Sequence, residues 1–149
     1  MSDNSIFLSG SENLSMPDTT LIPVLHYPDV GAATSWLVRV FGFAERLRIG
    51  GHRVQLNVGS GAVVVAQGQA PAEPQFSIMV RVANADEHAA QAAAQGANLL
   101  SKPQSFPYGE RQYTAKELGG YIWTFSQSES NQHPSSWGGE LVAADAGVA

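Results

Sequence analysis

The chain repeats its own pattern. Leu21 aligns over Phe76, Leu25 over Val80, Tyr27 over Val82 and Asp29 over Asn84 without a gap, and Gly61 and Gly120 fall at matching points further on. A repeat of roughly 55 to 60 residues is too long for a solenoid unit and predicts a duplicated supersecondary module. Each half must then build the same elements in the same order.

In the first half, residues 21–27 (LIPVLHY) read as a strand, and Asp29 caps the helix that follows. Ala33, Trp36, Leu37 and Val40 fall at i, i+3, i+4 and i+7, the stripe of an amphipathic helix over 31–41, which Gly42 stops. Strands follow at 43–49, 52–58 and 62–67, with glycine turns between them. Residues 68–75 (GQAPAEPQ) form a connector. The second half opens with a strand at 76–82, the cap Asn84, an Ala-rich helix over 85–95 and a short strand at 98–101. A hairpin of 111–116 and 121–126 closes it, turning at Glu117-Leu118-Gly119-Gly120. In that last strand Tyr121, Trp123 and Phe125 alternate with Ile122, Thr124 and Ser126. The period of two predicts a large aromatic face for the core and a smaller face free to line a site.

The expected fold is therefore α+β, with two βαβββ modules (21–67 and 76–127, linker 68–75) in one domain over 20–127. The Ser-, Asn- and Asp-rich residues 1–19, and residues 128–149, read as tails. A net charge of -5 without a basic run argues against nucleic acid or an anionic membrane as partner. With no Cys, thiolate nucleophiles, thiolate metal sites and disulfides are excluded. The N-terminus has neither a basic start nor a long apolar run, so it reads as neither a signal peptide nor a membrane span, and a cytoplasmic location is expected.

Two stretches, PVLHYPDVGAATSWLVRVFGF and PYGERQYTAKELGGYIWTF, together with the duplication, resemble the vicinal oxygen chelate superfamily. That superfamily holds glyoxalases, extradiol dioxygenases and bleomycin-resistance-type binding proteins. The resemblance spans about residues 21–127 and implies a trough between curved sheets, with homodimers as the family habit. It also implies a divalent metal held by His, Glu or Gln from the first and last strands of each module. Counting from Asp29, Asn84, Gly61 and Gly120 puts Ile22, Ser77, Val65 and Thr124 at those positions. Aliphatic side chains and neutral hydroxyls do not make a transition-metal site, so neither a metal nor another cofactor is expected.

Strand parity places His26 and Arg81 at equivalent positions of the two modules, with Ser77 and Met79 beside Arg81. His26 is a candidate general base or ligand contact. Its bland reading is a locally hydrogen-bonded residue, with Arg81 extending into water. Tyr108, Arg111 and Tyr113 are candidates to close one end of the trough and stack a planar ligand; the bland reading is that residues 107–109 form a turn and Arg111 pairs with a nearby Glu on the surface. Val24, Val63, Val65, Met79 and Ile122 are expected to supply apolar lining, and Ser77 and Thr124 polar groups. His52 and His88 read as solvated, and His133 and Trp137 lie in the C-terminal HPSSWGG segment, which reads as disordered, the alternative being that it folds over a neighbouring chain. Two functions fit: metal-independent capture of an amphipathic or aromatic small molecule, or a lyase, isomerase or dioxygenase acting on a carbonyl or catechol-like compound with His26 as base.

Overall fold

A computed structural model describes residues 14–69, 72, 73 and 76–141. Strand β1 (Val24–Tyr27) leads into helix α1 (Val30–Trp36), which widens into a π-helical turn (Leu37–Phe41). Strands β2 (Ala44–Ile49), β3 (Arg53–Val58) and β4 (Gly61–Gln67) complete the first module. The second runs β5 (Ser77–Arg81), α2 (Ala85–Ala94), β6 (Asn98–Ser105), β7 (Glu110–Lys116) and β8 (Ile122–Ser128). Both helices start as the sequence dictates. The Asp29 carboxylate accepts from the Ala32 N–H at 2.9 Å, and the Asn84 carbonyl from the Glu87 N–H at 3.0 Å. Gly42, at φ 82°, ends the first helix.

The two four-stranded mixed sheets have the same order, β1-β4-β3-β2 and β5-β8-β7-β6, so the duplication is structural as well as sequential. In each, the first strand runs parallel to the last and the remaining pairs are antiparallel. The helix-side faces of both sheets share one core. Leu25, Tyr27, Val54, Leu56, Val63 and Val65 enter it from the first sheet, and Tyr113, Ala115, Trp123 and Phe125 from the second. Phe41 joins them, with ring centroids 4.9 Å from Phe125 and 5.8 Å from Trp123, while Phe43 lies 5.2 Å from Trp123. The large face of the final strand thus does form core, as its alternation requires.

Two polar latches tie the modules. His88 on α2 is half-buried rather than solvated, because its ring fills the junction. Its Nε2–H donates to the Phe41 carbonyl at 3.0 Å, and its Nδ1 accepts from the Tyr113 hydroxyl. The Phe41 carbonyl lies at a helix end, where it has no intrahelical donor of its own. The second latch is Glu117, a buried carboxylate in the closing turn. It accepts from the Tyr27 hydroxyl of the first module and from the backbone N–H groups of Gly119 and Tyr121. Gly119 has no room for a side chain here, since a Cβ would lie 2.6 Å from the Tyr27 ring.

Burial holds His88 below the ordinary imidazole range, partly offset by its bond to Phe41. The unfolded chain keeps the His88 proton up to about pH 6.5 while the folded one releases it. This group's contribution to stability is therefore complete above about pH 6.5 and lost as pH falls towards the depressed folded value. Urea unfolding across that window should show an acid-side loss of stability that flattens in His88→Ala. The same variant should lose about 1–3 kcal/mol at neutral pH by leaving the Phe41 carbonyl and Tyr113 hydroxyl unpaired. Tyr27→Phe should likewise cost about 1–3 kcal/mol, because the buried Glu117 carboxylate loses a donor; an unchanged urea midpoint would contradict this.

Candidate functional site

With the large side chains turned to the helices, the opposite faces of the sheets carry smaller residues. On the second sheet the register pairs Ser77 with Ile122, Met79 with Thr124 and Arg81 with Ser126. Gln112 and Thr114 lie beside them on β7. The polar groups are interlinked. The Thr114 and Thr124 hydroxyls bond at 3.0 Å, the Gln112 amide donates to Ser126 Oγ at 3.0 Å, and Ser126 donates to Glu110 at 2.6 Å. Hydrogen bonds from Ser126 and Ser128, with the nearby charge of Arg81, hold the Glu110 carboxyl below the usual carboxylate range, so it is ionised at neutral pH.

An aromatic wall stands over this floor. Tyr108 stacks on Phe106 at 5.3 Å and donates its hydroxyl to Gln112 at 3.1 Å. Trp137 meets Tyr108 edge-on at 5.7 Å. The chain reaches that position by passing over Gly109, whose carbonyl accepts from the Glu129 and Ser130 N–H groups. Gly109 has φ 87°, and a Cβ there would lie 2.3 Å from the Ser130 carbonyl, so both the turn and the close approach require glycine. Of the expected C-terminal tail, Ser128 thus belongs to β8, Glu129 and Ser130 bond to the turn before β7, and a 3₁₀ turn at Pro134–Ser136 precedes Trp137; residues 142–149 lie outside the described residues. The resulting recess, about 460 Å³, is lined by Met79, Tyr108, Glu110, Gln112, Ser126 and Trp137.

The matching face of the first sheet is partly covered, with Val24, His26 and Asn57 left exposed on it. Gln55, Ala62, Val64 and Ala66 on it are buried. Gln55 donates to the Ser15 carbonyl at 2.8 Å and accepts from Arg46 at 2.6 Å, and Arg46 reaches the Leu14 carbonyl at 3.3 Å. Part of the expected N-terminal tail is thus docked on this sheet, and residues 1–13 lie outside the described residues.

Several expected site residues fall elsewhere. Tyr113 is fully buried on the helix side, and Arg111 turns to the same side, where it pairs with Asp86 on α2 at 2.8 Å. Both have the parity of Ala115, which faces the core. Val63 and Val65 are core residues as well, because β4 pairs Val64, not Val65, with Val24. The miscount has a simple cause. The β3–β4 turn spans two residues between the pair Val58 and Gly61, whereas the β7–β8 turn spans five between Lys116 and Ile122. Counting from the turn glycine therefore slips by one, and a one-residue slip exchanges the faces of a strand. His26, exposed on β1, packs over Gly68, away from the recess, while Arg81, Ser77, Met79 and Thr124 do share the open face of the second sheet. Sequence reasoning put Ser126 on the smaller face with Thr124, but it missed Glu110 and Gln112, which bond to it, and it left Trp137 in a tail.

The fold is that of a glyoxalase-like α+β protein, and the comparisons agree. No family model matches the sequence, and no curated protein matches it. Among solved structures, TioX from Micromonospora sp. ML1 is 33% identical, with TM-score 0.63, over 72% of this chain and 97% of that one. A glyoxalase/bleomycin resistance protein/dioxygenase from Nocardioides matches at 19% identity and TM-score 0.63, over 83% of this chain and 89% of its own. Lactoylglutathione lyase from Agrobacterium tumefaciens matches at 16% identity and TM-score 0.61, over 76% and 96%. The chain belongs to the glyoxalase/bleomycin resistance/dioxygenase, or vicinal oxygen chelate, superfamily.

The family's divalent metal does not fit the residues present. After the register correction the strand positions hold Ile22, Val64, Ser77 and Thr124, and among the described residues no group of three or more His, Asp or Glu is gathered to hold an ion. Aliphatic groups and a hydroxyl already bonded to Thr114 offer no charge to a cation. Elemental analysis of untagged, dialysed protein should find no stoichiometric nickel, zinc, iron or manganese; one equivalent of any of these would contradict the assignment.

Proposed function

We propose that the protein captures an amphipathic, partly aromatic small molecule on the open face of its second sheet, without a metal. The observation that carries this reading is the pairing of a bonded polar floor with an uncovered apolar wall. Met79 is 62% exposed and Trp137 41% exposed in a recess whose polar groups are already fixed by one another. A planar ligand would lie against Tyr108 and Trp137 and turn its polar end to Arg81, Glu110 and Thr124. Arg81 and Glu110 offer opposite charges at one end, which suits a ligand carrying both a donor-rich and an acceptor-rich group.

The enzymatic alternative is the weaker reading because His26, its proposed base, is not among the residues lining this recess. The reading also includes a cytoplasmic homodimer. β2 and β6 are outer strands of their sheets, and an unpaired strand edge is a template for a second chain. Among the described residues no helix is long and apolar enough to cross a membrane.

A thermal-shift or native mass spectrometry screen across aromatic acids, antibiotics and dicarbonyls should yield a compound whose stabilisation grows with the logarithm of its concentration. Trp137→Ala and Arg81→Ala should each weaken it about ten-fold, roughly 1.4 kcal/mol. Affinity unchanged in the double variant would place binding elsewhere.

A further inference from the structure

A second recess lies on the other side of the first sheet, between α1 and the β2–β3 hairpin. It measures about 280 Å³ and is lined by Val30, Gly31, Thr34, Ser35, Glu45, Arg48, Gly50, Gly51 and Val54. Its floor and walls come from different sources. Val30 and Val54 are buried core residues, whereas Gly31, Gly50 and Gly51 contribute space by having no side chain. Thr34 is only 6% exposed, and its Oγ1 has no hydrogen-bond partner among the described residues. A buried hydroxyl without a partner destabilises a fold unless something else satisfies it.

The charged rim depends on an irregularity in β2. Residues three apart on a regular strand point to opposite faces. Here the register shifts between Glu45 and Leu47, so that Glu45 pairs with Leu56 and Arg48 with Val54, both on the helix side. The bulge therefore brings a carboxylate and a guanidinium to one rim, joined at 2.6 Å and 3.0 Å. That pair uses two of the five guanidinium N–H donors and leaves the others for a further acceptor.

We propose that this recess is a binding site for a small zwitterion of the α-amino-acid class, separate from the open face of the second sheet. Its carboxylate would meet Arg48 and its ammonium group Glu45, with the charges of the ligand matching those of the rim. A short side chain would lie against Val30 and Val54, and a polar tip would reach the Thr34 hydroxyl. The volume admits an amino acid.

Amide NMR spectra of the full chain titrated with L-threonine test this. Acetate and methylamine, each carrying one of the two charges, serve as controls. Threonine should shift the Gly31, Gly50 and Gly51 amides saturably, neither control should saturate, and amides around Tyr108 and Trp137 should not move. Thr34→Val should weaken threonine about three- to ten-fold while raising Tm, since it removes both a ligand contact and an unsatisfied hydroxyl. Thr34→Ser keeps the hydroxyl and should retain binding, which covers the case in which the valine variant fails to fold. Paired Glu45→Gln and Arg48→Gln changes should abolish saturation. The proposal is overturned by absent saturation, by an equal response to either control, by unchanged threonine affinity in a folded Thr34→Val, or by a threonine-soaked crystal holding only water in the recess.

Discussion

Everything in this molecule depends on one shared aromatic core. Phe41 and Phe43, at the end of the first module's helix, insert against Trp123 and Phe125 on the last strand of the second. Neither module could bury its large face alone, because each sheet offers only one helix to cover it. Joining the two large faces removes the bulkiest side chains from water together, the largest favourable contribution available to a chain of this size. It also commits every strand to one parity. Once Trp123 and Phe125 point inward, Thr124 and Ser126 must point to the open side. The candidate site is in this sense the complement of the core.

The polar latches act on the same junction. His88 and Glu117 each bond across the module boundary, to Phe41 and Tyr27 respectively. Both are titratable groups held where water is scarce, and burial opposes the charged form of each: it lowers His88 and raises Glu117. Their partners were chosen accordingly. His88 stays neutral between a donor and an acceptor, and Glu117 is surrounded by donors. Apolar packing supplies the attraction between modules, and these bonds fix the angle at which they meet.

Duplication made two similar sheets, but the chain treats them differently. Residues 14–17 lie over the first, where Gln55 and Arg46 bind the backbone carbonyls of Ser15 and Leu14. Backbone recognition of this kind asks little of the side chains, and Leu14 and Met16 remain exposed. The second sheet keeps its face open, and the C-terminal segment adds only a rim, through Gly109 and Trp137. A symmetric trough with residues of both modules facing each other was the natural expectation from the repeat. Val58 and Val63 of the first module and Met79 and Arg81 of the second do line one recess of about 330 Å³, but the flanking segments leave the two sheet faces unlike.

The sequence by itself determined the module order, both helix caps and the inward face of the final strand. These follow from local rules: a side-chain oxygen three residues before an N–H, a stripe of period 3.6, an alternation of period two. It also determined the chemical character of the family metal positions, since no register turns Ile22 or the valines of β4 into ligands. Tertiary structure decided which of Val64 and Val65 faces inward, because two hairpin turns of different length set the registers. It decided that Arg111 joins Asp86 and that Tyr113 meets His88, contacts between residues 25 apart in sequence. It decided, too, that a bulge puts Glu45 and Arg48 on one rim and that Trp137 reaches Tyr108. Such pairings depend on where distant strands and segments come to rest, and no local period encodes that.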